Sequence, residues 1–362
     1  MIPEFLHAAG TLVLKFEIKD KILTGYYKRN LKTIKMKKSI SRRKFIGTTA
    51  AVAAGSMLPF NYSFAGRQRK KPNSKVAGVQ LGLTTYSYRQ IPHNLEEVLE
   101  YVLKADVNAL EMRLVLEEGL GIPQAPPRPP RGTQLTDKQR EERAKIMSQL
   151  SEKQREWRLS LPMQKYADVR KMYNDAGVDI HIAKFAPSKW SDAEIDYAYN
   201  AANTLGAYGI TDEASVEACK RLGKFAEKHN SLAIYHTHAQ FSEPGFDIDT
   251  MLSYSPANRL NLDVGHYYGS TGKHPNEMIE KYHDKIPMIH MKDKTGPNHP
   301  TMPNTSVPFG EGSTPISDIL LLLKKTQWPI DVFLELEYKI PEGSTVEKEV
   351  IKCMDYMRNI LE

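Results

Sequence analysis

Cysteine is nearly absent. Cys219 and Cys353 are the two in 362 residues. Both sit inside helical patterns, with no CxxC pair and no disulfide framework, so they read as free core thiols. No GxGxxG follows the first strand pattern, which removes the usual dinucleotide-binding fingerprint. Long apolar runs are missing too. The stretch 46–58 falls short of the roughly 20 residues that a helical membrane span requires, so no stable span is expected. The chain also lacks a basic folded part. Its net charge is +7, but residues 1–71 hold 16 of the 50 Lys and Arg and 3 of the 43 Asp and Glu. Residues 72–362 therefore carry 34 basic against 40 acidic side chains, a poor match for a phosphate backbone. No nucleic-acid partner is expected.

What is present starts with an N-terminal address. Residues 1–35 show no clear period and read as an upstream lead rather than a domain. From Met36, basic residues that include Arg42 and Arg43 precede the apolar stretch 46–58 and the small residues Ser63 and Ala65. The pattern SRRKFIG resembles a twin-arginine signal, which implies export to the periplasm or another extracytoplasmic space. The expected signal peptide is 36–65, followed by a linker at 66–78.

From 79 to 362 the chain alternates strand and helix patterns. Strands are expected at 79–89, 109–116, 178–187, 207–214, 231–239, 260–268, 286–294 and 331–338, with amphipathic helices between them. Eight repeats of this unit imply an α/β fold, a (β/α)8 barrel or a long doubly wound sheet. One interruption, 117–160, joins the proline-rich GIPQAPPRPPRG to a charged helical run that opens at Thr136. It reads as a helical insertion after strand two, at the active-site face. A lid, an arm between copies in a homo-oligomer and a solvated excursion all fit it.

The late strands decide for the barrel, because their C-terminal ends carry polar residues. Strand five brings His236 and His238, strand six Asp263 and His266, strand seven His290, Lys292 and Asp293, and strand eight Glu335 and Glu337. His236, Asp263 and His290 are spaced 27 residues apart, about one strand–helix unit. Buried carboxylates and imidazoles at strand ends must be paired or bound to a metal. Asp263, His290, Glu335 and one of His236 or His238 make an oxygen and nitrogen donor set that suits Mn²⁺, Co²⁺, Zn²⁺ or Mg²⁺ at a barrel mouth. Glu213, at the end of strand four, is a further carboxylate. Glu111 and Arg113 either face the pocket or form a rim salt bridge, and Lys292 either binds substrate or forms an ion pair.

On these residues the chain resembles the xylose isomerase-like TIM barrels, the sugar phosphate isomerases and epimerases, over about 79–362. Asp263-Val-Gly-His266 matches that family's Asp-x-x-His, IHMKD its strand-seven ligand, and VPFGEGSTPI its glycine-rich loop. The resemblance implies that Asp263, His290 and Glu335 are ligands and that His266 contacts substrate hydroxyls. It departs at strand five, where the family's Glu, both ligand and base, is replaced by YHTH. His236, His238 and Glu213 compete to complete the site and to act as base. The implied function is an exported, divalent-metal-dependent isomerase or epimerase of a non-phosphorylated sugar or keto-sugar. His236, Glu213 and Glu335 are its catalytic candidates, with His266, Lys292, Glu111 and His238 around the substrate. A metal-dependent lyase or hydratase acting on 3-keto-glycosides or keto-sugars is the alternative. A non-catalytic carbohydrate-binding barrel is the third reading.

Overall fold

The computed structural model describes residues 70–362 apart from 128 and 131, so the lead and the signal peptide lie outside the described residues. The strands are β1 Lys75–Val76, β2 Val79–Thr84, β3 Ala109–Met112, β4 Asp179–Ala183, β5 Gly209–Glu213, β6 Leu232–His236, β7 Asn258–Asp263, β8 Met288–Met291, β9 Asp293–Lys294, β10 Ser306–Val307 and β11 Asp331–Leu334. The α-helices are α1 Leu95–Lys104, α2 Asp137–Ser160, α3 Gln164–Ala176, α4 Asp192–Leu205, α5 Val216–Lys228, α6 Ile248–Ser253, α7 Val264–Thr271, α8 Pro275–Tyr282, α9 Ile316–Thr326 and α10 Val346–Leu361.

β2 through β8 and β11 pair in parallel in chain order, and β11 returns to β2, which closes an eight-stranded barrel. The cause is visible in single elements. β7 is buried at all six positions, as a strand with a filled barrel on one side and helices on the other must be. Helix α1 buries Leu95, Val98, Leu99 and Val102 along one stripe, and Asn94 caps its start. Cys219 and Cys353 are free and buried. Among the described residues no helix is long and apolar enough to cross a membrane.

Several boundaries differ from the sequence reading. Strand six does not run to Tyr268. It stops at Asp263, whose carboxylate accepts the backbone N–H of His266 at 2.8 Å and caps α7. Strand eight ends at Leu334, so Glu335 and Glu337 follow it on a loop. Part of the expected linker is folded. Lys75 and Val76 pair antiparallel with Gln80 and Val79, and the buried Ser74 hydroxyl bonds to Leu81 O and Asn108 Oδ1.

The insertion follows β3. Its helix α2 carries a capping box at Thr136 and Gln139 and buries only Leu150 and Arg158, which makes it a solvated excursion along most of its length. Arg158 is the anchor. Its guanidinium makes two bonds to Glu117, at 2.7 and 3.0 Å, bonds Glu194 at 3.0 Å and lies 3.6 Å over the Trp190 ring. Removing one partner of such a buried group strands two carboxylates. Arg158→Met is expected to cost roughly 2–4 kcal/mol in denaturant unfolding and to open α2 to limited proteolysis. Wild-type protease resistance in this variant would show that the anchor lies elsewhere.

Candidate metal centre

Asp263 ends β7 and is paired in register with His290, next to last in β8, and Glu335 follows β11 on the other side of β8. His236 ends β6. One donor atom from each of these four buried residues lies within 4.8 Å of the others. His290 Nδ1 is 2.9 Å from Glu335 Oε2 and 4.0 Å from Asp263 Oδ2. His290 Nδ1 and Asp263 Oδ2 have no aligned hydrogen-bond partner, although the Lys292 ammonium lies 2.8 Å from Asp263 Oδ2. Two buried polar atoms that face one point without satisfying each other fit a cation between them.

The surroundings prepare the donors. Glu111 Oε2 is 2.8 Å from His290 Nε2, and Glu111 Oε1 accepts from the Thr211 hydroxyl at 2.7 Å. A carboxylate at Nε2 holds the N–H there and leaves Nδ1 for a metal. Burial works against ionising Glu111, but His290 and Lys184 outweigh it and hold the carboxyl at about 2. Burial likewise opposes charge on His290, yet Glu111 and Glu335 raise it to about 10. Burial, with the neighbouring His290 and Lys184 charges, pushes His236 well below its usual value and keeps the ring neutral. His236 Nδ1 lies 3.3 Å from the Asn261 side-chain nitrogen, while Asn261 Oδ1 has no partner. With the amide turned so that Oδ1 faces the ring, His236 Nδ1 would carry the proton and leave Nε2 to ligate.

Lys292 crosses beneath this group. Its Nζ lies 2.8 Å from Asp263 Oδ2, 2.9 Å from Glu335 Oε2 and 2.6 Å from Glu337 Oε2. The helix start packs against this lysine. A Cβ on Gly265 would sit 2.3 Å from Lys292 Cγ and 2.7 Å from its carbonyl oxygen, so the glycine in DVGH permits the approach. Asp293 points away and accepts the N–H groups of Gly310, Gly312 and Thr314, which ties down the glycine-rich loop.

A second row lines the mouth. Glu213 Oε1 accepts from Lys184 Nζ at 2.8 Å, and Glu213 Oε2 lies 3.0 Å from His238 Nε2. Burial raises the Glu213 carboxyl, but His238 and Lys184 prevail and hold it at about 2. His238 Nδ1 is 3.2 Å from His266 Nε2, which is itself 3.5 Å from Glu337 Oε2. Arg113 lies 3.7 Å over the Tyr86 ring and 3.8 Å from Glu335 Oε1.

The structure thus brings His236, Asp263, His290 and Glu335 together and sets Glu213, His238 and His266 beside them. It differs from both readings of Glu111 and agrees with the ion-pair reading of Lys292. Glu111 is fully buried behind His290, so it orients a ring rather than meeting substrate. Lys292 is buried and engaged by three carboxylates, so it balances charge rather than reaching into the mouth. Glu335 joins the donor group, while Glu337 pairs with Lys292 and His266. His181, on β4, lies toward the other end of the barrel, where it pairs at 2.7 Å with Asp331, the first residue of β11. Tyr88 and Tyr267 are core, and Trp190 lies under the Arg158 guanidinium. Lys184 and Lys294 were not singled out in the sequence. Their one signal is position, each at the end of a strand pattern.

A family model described as xylose isomerase-like TIM barrel matches residues 164–360. No curated protein matches the chain. Among solved structures, a sugar phosphate isomerase/epimerase from Parabacteroides distasonis is 18% identical, with a TM-score of 0.51 over 78% of this chain and 97% of its own. The probable 3-DHS dehydratase AsbF from Bacillus anthracis is 15% identical, with a TM-score of 0.51 over 76% and 98%. The IOLI protein, solved with a zinc atom, is 13% identical, with a TM-score of 0.51 over 78% and 98%. At these identities the likeness shows the fold.

Proposed function

The chain belongs to the xylose isomerase-like TIM barrel family, and from that premise we propose that it is a divalent-metal-dependent enzyme that isomerises or epimerises a non-phosphorylated sugar or keto-sugar. The observation that carries the proposal is the buried group His236, Asp263, His290 and Glu335 at the mouth of the barrel. Mn²⁺, Co²⁺, Zn²⁺ or Mg²⁺ held there would polarise a substrate carbonyl and acidify the neighbouring C–H. Glu111 keeps the His290 ring turned so that Nδ1 faces the donors. Glu213, ionised and half exposed beside His238, is placed to take the substrate proton, and His238 to share it. His266, on the first turn of α7, offers its ring to a substrate hydroxyl. Export rests on the Arg42–Arg43 signal. It argues for an unphosphorylated substrate, because sugar phosphates are mainly cytoplasmic.

A second reading has support of its own. Burial and the His290 and Lys184 charges disfavour a proton on His236, where the resemblance expects a carboxylate base, so the site has a weaker proton acceptor on that side. Epimerisation at one carbon needs a group on each face. Elimination of a β-substituent needs one base and an acid for the leaving group, which suits a lyase or dehydratase of a keto-sugar.

Chelation tests the proposal. Treating the purified protein with a chelator is expected to abolish turnover in an aldose and keto-sugar screen, and one of the four metals should restore it. Turnover that persists without metal would reject it. Product analysis in deuterated water separates the two readings. Isomerisation or epimerisation leaves deuterium in the product with no fragment lost, whereas elimination releases a leaving group.

A further inference from the structure

We infer that Lys294 is a positioning residue that fixes His266 as a hydrogen-bond donor toward the substrate. The inference rests on the reading of His266 as a substrate contact. Lys294 is buried, at 5% exposure, and among the described residues it makes no ion pair with a carboxylate. Among the described residues the one polar contact of its ammonium is His266 Nδ1, at 3.4 Å. The backbone holds it there from both sides. Lys294 N donates to Thr314 Oγ1 at 3.0 Å, Lys294 O accepts from Ser313 N at 2.8 Å, and β9 pairs with β10. Its stem lies against α7 where Gly269 has no side chain, since a Cβ there would come within 3.0 Å of Lys294 Cε.

An ammonium has protons to donate and no lone pair to accept with. His266 Nδ1 must therefore accept, and a neutral ring then carries its proton on Nε2. That N–H faces the mouth, 3.2 Å from His238 Nδ1 and 3.5 Å from Glu337 Oε2. His238 Nδ1 accepts in turn, so its own proton sits on Nε2, next to the Glu213 carboxylate at 3.0 Å. Lys294, His266, His238 and Glu213 form a line with one polarity, closed by a donor at one end and an acceptor at the other. A substrate oxygen entering between the rings meets the Nε2–H of His266. The same arrangement withholds the Nε2 lone pair from a cation, although His236, His238 and His266 are close enough together to hold one.

Long-range ¹H–¹⁵N spectra of histidine-labelled, full-length protein read the tautomer without any turnover, with the His266 signals assigned by their loss in His266→Gln. Wild type and Lys294→Arg are expected to show Nε2 protonated, and Lys294→Met to show a mixture or Nδ1–H. If Lys294→Met does not fold, Lys294→Leu, which also lacks a donor, takes its place. With a substrate in hand, Lys294→Met should lower kcat about tenfold while KM changes less than about twofold, and Lys294→Arg should recover most of the loss. An unchanged tautomer in Lys294→Met, or a His266 Nε2 that loses its proton when Zn²⁺ is added, overturns the inference. Absence of turnover on every sugar would count against the proposed function and leave the spectra to decide this point.

Discussion

Asp263→Asn is expected to leave the barrel folded and take away its metal. The two oxygens of Asp263 have separate tasks. One accepts the His266 N–H and starts helix α7, and the other lies in the donor group, 2.8 Å from Lys292 Nζ. Asparagine keeps an oxygen able to cap, and it ranks with aspartate as an N-cap. It removes the negative charge on which divalent affinity depends and can turn an N–H₂ toward the site. The expected result is a metal affinity lower by about 100-fold or more, and kcat/KM lower by about 10³-fold. Thermal stability measured in chelator should fall less than in Lys292→Met, because the cap is kept and the ammonium retains Glu335 and Glu337. Elemental analysis after dialysis against a fixed metal concentration reads the first number. Full metal occupancy in Asp263→Asn would remove this residue from the centre.

Lys292→Met should have the largest effect on stability, and metal should reverse much of it. The ammonium is buried among Asp263, Glu335 and Glu337, with His290 the other cation close by. Burial opposes its charge, but the three carboxylates outweigh that and raise its pKa above the ordinary lysine value. Methionine keeps the stem and its packing against Gly265 while leaving the carboxylates without their main counter-charge. Removing one partner of a buried pair costs roughly 3–5 kcal/mol, and that loss is expected for Lys292→Met in chelator. A divalent ion in the neighbouring donor group supplies charge of the missing sign. The rise in melting temperature on adding Mn²⁺ or Zn²⁺ should therefore be larger in Lys292→Met than in wild type. Equal shifts in the two proteins would mean that lysine and metal do not share the same carboxylates.

The barrel was legible because its strands are short apolar runs with polar ends. LNLD and IPMIH present a donor where the apolar run stops, and no feature of a soluble core explains that placement. The end of strand six was not legible. LNLDVGHYY stays largely apolar past Asp263, and the change to helix depends on a carboxylate that caps from inside the core. The sequence leaves Glu111 at the pocket or in a rim salt bridge, because it shows which strand the residue is on but not that His290, 179 residues later, fills the space in front of it. Lys184 and Lys294 escaped notice for a general reason. Lysine at a strand end is ordinarily solvated, and only the fold shows that these two are buried beside Glu213 and His266. The hairpin at Lys75–Val76 was hidden in a polar stretch because two residues carry no period.

The most direct measurement is anomalous diffraction at the absorption edge of a metal added to the crystallised protein. The expected result is one strong peak about 2.0–2.3 Å from Asp263 Oδ2, His290 Nδ1, a Glu335 carboxylate oxygen and a His236 ring nitrogen. No peak at saturating metal, or a peak bound elsewhere with Lys292 still closing the four-residue group, would contradict it.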